Sequence, residues 1–185
     1  MTGVDAKHYA LQLIERVKAI MLSPSSEWRM IEKEPSTLAG LLLRYVAILA
    51  AIPEIAHLIG QSLIGAAHAP LGSNLLRAVI AYLVTFAMVY LIACIIDLLA
   101  PRFGGQKNFP NAVKLSVYSH TPLWLAGIFL LIPGLSFLML LGVYGFYLFW
   151  VGLPLLMRVK NEQALLYAVI VTGCALVPAV VLSLV

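Results

Sequence analysis

From Leu38 onward the sequence is a succession of five long apolar stretches, and no other feature constrains the fold as strongly. They cover about residues 38–64, 75–99, 112–132, 135–157 and 164–185. A bilayer core about 30 Å thick takes roughly 20 helical residues. Lipid offers the backbone no hydrogen-bond partner, so an open sheet is excluded and the stretches read as helices. Composition agrees: 62% of the chain is hydrophobic and 11% charged, against about 45–50% and 25% in soluble domains. Eight acidic and twelve basic residues would not cover a core of this size with polar surface. The expected fold is an all-α integral membrane protein. Short amphipathic cytoplasmic helices (1–37) would precede a bundle of five transmembrane helices (38–185).

Lysine and arginine give the direction. Lys7, Arg16, Lys18, Arg29, Lys33 and Arg44 precede or open the first stretch, Arg102, Lys107 and Lys114 lie between the second and third, and Arg158 and Lys160 follow the fourth. Only Arg77 falls on the other side. The expectation is a multi-pass protein of a bacterial inner membrane, N-terminus cytoplasmic and C-terminus outside. The net charge of +4 then reflects topology, and no nucleic-acid partner is expected. The first 37 residues hold no run of signal-peptide type, so no cleaved leader is expected. Cys94 and Cys174 lie in apolar stretches without metal-type spacing and read as packing residues.

In the N-terminal segment Ala10, Leu13, Ile14, Val17, Ile20 and Met21 form one helical stripe. That helix lies on the membrane surface or packs on the cytoplasmic ends of the spans. In "SPSSEW", Ser23 is a candidate N-cap and Pro24 suits a first turn. Trp28 and Ile31 share a face expected at the membrane interface.

Polar groups inside the spans are the candidate sites, because ionisable side chains there are expensive. Asp97 and Lys114 fall at similar depth on neighbouring antiparallel spans and are expected to pair, with Arg102 in competition; interfacial solvation and an ion path are the alternatives. Glu54 and His57, three apart, share a face. One Glu-x-x-His is half of a di-iron pattern. With no second copy no metal is expected; a local hydrogen bond reaching Arg77 is the simpler reading, and a proton or substrate role is the alternative. "YSHTP" places Tyr118, Ser119 and His120 before Pro122, which removes one helical bond. Two readings stand: a kink whose neighbours supply the replacement donors, or a polar pocket open to the cytoplasm. Gly142, Gly145 and Gly152 mark close helix packing. No nucleophile elbow, P-loop or zinc-protease motif occurs, so neither catalysis nor a cofactor is expected.

Four separated motifs resemble the Yip family: "SPSSEWRMIEKEP", "RFGGQKNF", "AVKLSVYSHTPLWLAGIF" and "GVYGFYLFWVGLPLLMRVKNEQALLYAVIV". The resemblance covers about residues 24–180. It implies a five-span bundle with a cytosolic N-terminus. The family's eukaryotic members work in vesicle trafficking and bind lipidated GTPases. This chain looks like the bacterial type, where that traffic is lacking, so the resemblance transfers no mechanism. Two functions are therefore carried forward. One is a non-enzymatic organiser that binds membrane lipids, lipidated ligands or membrane proteins, itself included. The other is a small oligomeric transporter or channel for protons, metal ions or small solutes. Reporter fusions test the topology common to both: a fusion before Met1 is expected to report the cytoplasm and one after Val185 the opposite side. Both reporting the same side would overturn the odd number of crossings.

Overall fold

The computed structural model describes residues 3–64 and 71–183, and every regular element among them is helical. The end of the expected fifth span, residues 184 and 185, lies outside the described residues. The elements are α1 (Gly3–Leu22), α2 (Pro24–Lys33), α3 (Leu38–Ser62), α4 (Leu71–Leu99), α5 (Phe109–Ser119), α6 (Thr121–Ala126), α7 (Tyr144–Leu156) and α8 (Asn161–Ser183). Between α6 and α7 the chain forms tighter 3₁₀ turns, Gly127–Leu131 and Pro133–Val143.

Local chemistry sets several of the ends. Thr37 accepts the Gly40 N–H at 3.0 Å and so opens α3; Asn108 accepts that of Asn111 at 3.1 Å and opens α5. Each satisfies an N–H that has no partner inside its helix. Ser23 precedes α2, with Pro24 in the first turn, but the Ser23 hydroxyl makes no cap bond. After α4 the chain turns at Gly104, whose φ of 70° suits a residue without a Cβ.

Three helical runs are long and apolar enough to cross a bilayer: Leu38–Ser62, Gly72–Phe103 and Pro133–Leu156. Asn161–Leu176 is a shorter apolar helix. The third expected span, 112–132, is not one continuous helix. It breaks at His120, between α5 and α6, with Pro122 in the first turn of α6. Proline lacks an N–H, and its ring disfavours the helical conformation of the residue before it.

α5 is the central element. Every residue from Ala112 to Ser119 is buried, with α4, α7, α6 and the start of α3 packed around it. The outer faces of the surrounding helices carry exposed leucine, isoleucine, valine and aromatic side chains.

The N-terminal pair is built into this body. The Trp28 indole donates to the Leu148 carbonyl at 3.1 Å, and Arg158 pairs with Glu32. Contacts therefore advance together along α2 and α7, and the two helices run in the same direction. Trp28 and Ile31 are 0% and 1% exposed. This corrects their expected place at the membrane interface: the apolar face of α2 meets protein. In α1, Leu13, Val17, Ile20 and Met21 turn inward. Ala10 and Ile14, from the same expected stripe, stay exposed.

Close approach explains the glycines of α7. A Cβ at Gly145 would lie 2.4 Å from the Ser119 carbonyl oxygen, and one at Gly152 would meet Leu115 and Trp28 at 2.6 and 2.7 Å. A Cβ on Gly142, in the preceding turns, would press on Leu123 at 2.7 Å, whereas one on Gly134 meets nothing within 4 Å. Gly145→Ala is expected to destabilise the protein by about 1–3 kcal/mol, the usual range for overpacking, and Gly134→Ala not to. Melting temperatures of the two detergent-solubilised variants check the contrast.

Candidate functional site

A cavity of about 540 Å³ opens between α1, α2 and the start of α3. Its floor is aromatic. Tyr118, from α5, and Tyr45, from α3, meet edge to face with ring centroids 4.7 Å apart. Tyr118 also meets Trp28 edge-on at 6.1 Å. The Tyr45 hydroxyl is tied to that of Thr121 at 2.8 Å, which fixes its ring, while Tyr118 remains in the cavity lining.

The wall is charged. Arg16 reaches across from α1 and forms ion pairs with Glu27 of α2 and with Glu34 just beyond it. Its side chain is 21% exposed and that of Glu27 10%. Burial works against the Arg16 charge, but the hydrogen bond to Glu34 and the two carboxylates outweigh it and hold the guanidinium above its ordinary range. At the mouth the Tyr9 hydroxyl donates to the Arg44 carbonyl. Burial pushes this phenol up, against the lowering effect of the Arg44 charge. Glu15 also lines the cavity. The cleft therefore collects two guanidiniums, three carboxylates and three phenols where an N-terminal helix meets a membrane-length one.

Sequence reasoning nominated one side chain of this cleft, Tyr118. Arg16 read as one of the positive charges that precede the first span, and Glu27 and Glu34 as parts of a motif. The charge alternation of 16, 27 and 34 gives no local sign that they meet, because their pairing depends on how α1 folds back on α2.

The other nominated residues lie elsewhere. Lys114 does not pair with Asp97, which corrects that expectation. Its ammonium donates to the carbonyls of Ile31, Glu32 and Glu34 at 2.9, 3.3 and 2.7 Å. These are carbonyls at the end of α2, where a helix leaves acceptors unsatisfied and the dipole favours a cation. Asp97 Oδ1 is buried without a hydrogen-bond partner. His120 Nδ1 lies 2.6 Å from the Ser116 carbonyl, to which it donates, and its ring tilts over Trp124. The Ser119 hydroxyl is buried and unpartnered. Pro122 cannot donate to the carbonyl four residues back, that of Tyr118, and neither the His120 ring nor the Ser119 hydroxyl supplies the missing donor.

Glu54 and His57 sit toward the other end of α3. Arg77 Nη2 lies 2.6 and 2.8 Å from the two ring nitrogens of His57. Nearby, Asn74 donates to the Ser62 hydroxyl at 3.1 Å. Among the described residues no group of three or more His, Cys, Asp or Glu side chains is placed to hold a metal ion.

The family described as the Yip1 domain matches residues 18–182. The inner membrane protein YohC of Escherichia coli strain K12 is 25% identical over 166 residues, covering 84% of this chain and 85% of that protein. The protein of the same name from E. coli O6:H1 gives the same figures. No solved structure matches.

Breaking a largely buried ion pair by removing one partner leaves a charge uncompensated. Arg16→Met is therefore expected to loosen α1 by about 1–3 kcal/mol, less than for a fully buried pair because solvent reaches Arg16. Hydrogen exchange of the α1 amides should rise roughly tenfold or more, since about 1.4 kcal/mol is a factor of ten. Arg158→Gln, which removes a pair whose arginine is 63% exposed, should leave them nearly unchanged.

Proposed function

The chain belongs to the Yip1 family, and from that membership we propose that it is a five-pass inner-membrane protein that acts without catalysis by holding a membrane amphiphile in the α1–α2–α3 cleft. The amphiphile is a lipid or a lipid-anchored ligand. The cytoplasmic N-terminus of the charge count puts the cleft at the cytoplasmic leaflet. Arg44 lies six residues along α3 from Leu38, roughly 9 Å at 1.5 Å per residue, within the headgroup and upper acyl region.

The observation that carries this reading is the union of polar and apolar surface at the cleft. Paired and unpaired charges line a volume of about 540 Å³, within the usual range for small-molecule sites. Leu13 and Met30 line the same cavity, and Met30 is 58% exposed. A ligand with a polar head and an apolar tail has a surface for each part. The relatives' description as inner membrane proteins agrees with the location proposed.

The transporter alternative has less to stand on. It needs a polar line from His120 and Lys114 toward Glu54. Lys114 is engaged by three backbone carbonyls, His120 by one, and His57 by Arg77.

Ala19 lines the cleft, and Ala19→Phe would fill it. Native mass spectrometry of the gently extracted protein is expected to find a retained lipid or lipidated ligand on the parent chain. Ala19→Phe should lose most of it at an unchanged melting temperature. Equal retention by the variant would overturn the cleft as the binding site.

A further inference from the structure

The charges of the cleft are unequal in availability, and this inequality bears on the ligand. Arg16 is engaged on both sides, by Glu27 and Glu34. Arg44 lines the same cavity and enters no ion pair among the described residues. It is a free guanidinium at the mouth. Glu15 also lacks an ion pair among the described residues. Glu34 gives one oxygen, Oε1, to Arg16, and its side chain is 41% exposed. Counting Arg16 and Arg44 against Glu15, Glu27 and Glu34 leaves the lining with one surplus negative charge.

A ligand complementary to this lining carries an anion for Arg44 and a hydrogen-bonding cation for the carboxylates. Guanidinium recognises phosphate oxygens through paired N–H donors. A primary ammonium has three N–H donors, which the free oxygens of Glu34 and Glu15 accept. An anionic headgroup without a cation meets the surplus carboxylate charge and is repelled. A quaternary ammonium has no N–H to give.

We propose that the cleft binds the phosphoethanolamine head of an aminophospholipid of the cytoplasmic leaflet, with its phosphate on Arg44, its ammonium on Glu34 and Glu15, and its acyl chains leaving past Leu13 and Met30. This rests on the amphiphile-binding reading above and specifies its ligand.

The full-length chain in nanodiscs of equal phosphatidylethanolamine and phosphatidylglycerol, released into native mass spectrometry, tests it. The ethanolamine lipid should be retained at least tenfold over the glycerol lipid. Arg44→Gln should lower that retention roughly fivefold or more. Glu15→Gln, which touches no ion pair, should narrow the preference between the two lipids at an unchanged melting temperature. Glycerophosphoethanolamine, the same head without acyl chains, should compete only at far higher concentration.

Equal retention of the two lipids overturns the proposal, as does indifference to both substitutions. Competition by the chainless head as strong as by the lipid would make the ligand a soluble one and also overturn it. In each of these cases loss of the adduct in Ala19→Phe would still uphold binding at the cleft. Absence of any adduct sensitive to Ala19→Phe removes both claims.

Discussion

A helix buried on every side must find partners for all its polar groups inside the protein. α5 is in that position from Ala112 to Ser119, and, the unpartnered Ser119 hydroxyl apart, much of the remaining architecture follows from how it meets the demand. Ser116 donates to the Val89 carbonyl at 2.9 Å and so binds α5 to α4. Lys114 is the costlier case, a cation 4% exposed. It is stabilised by three carbonyls at the end of α2 and the residue beyond, which in turn gain a donor they lack. One side chain thus satisfies both α5 and the end of α2. With its end fixed there, α2 places Trp28 against the glycine of α7 and Glu27 and Glu34 within reach of Arg16. The charged wall of the cleft depends on α5 through this chain of contacts.

The sequence made the helical, membrane-type character and the family legible because both rest on local signals. Apolar length decides the first, and separated motifs in fixed order carry the second. The break at His120 was also foreshadowed, since the steric effect of Pro122 acts on its immediate neighbours. Its wiring was not. The imidazole bonds the carbonyl of Ser116, one turn back, and Thr121 reaches Tyr45, 76 residues away in sequence. Helical spacing says which residues share a face, not what that face meets. For Trp28 an amphipathic stripe with an aromatic anchor reads alike whether it faces lipid or protein. Only the missing side chain at Gly152, 124 positions later, makes room for the indole. The same limit hid the partner of Lys114: depth along two neighbouring spans favoured Asp97, but backbone carbonyls leave no composition signal.

Arg158, Arg16 and Arg44 stand in three different environments, and the difference supports the proposed ligand site. Arg158 makes an exposed pair, which screening reduces to little. Arg16 makes a largely buried double pair that closes α1 onto α2 without outside help. Arg44 has neither arrangement. Because Arg16 and its carboxylates satisfy one another, the cleft does not need an occupant to hold its walls together. A site whose walls are held by the protein's own contacts binds with less ordering of side chains and loops. In the proposed complex the free guanidinium and the remaining carboxylate oxygens would be available for recognition, above a tyrosine floor fixed through Tyr45 and Thr121.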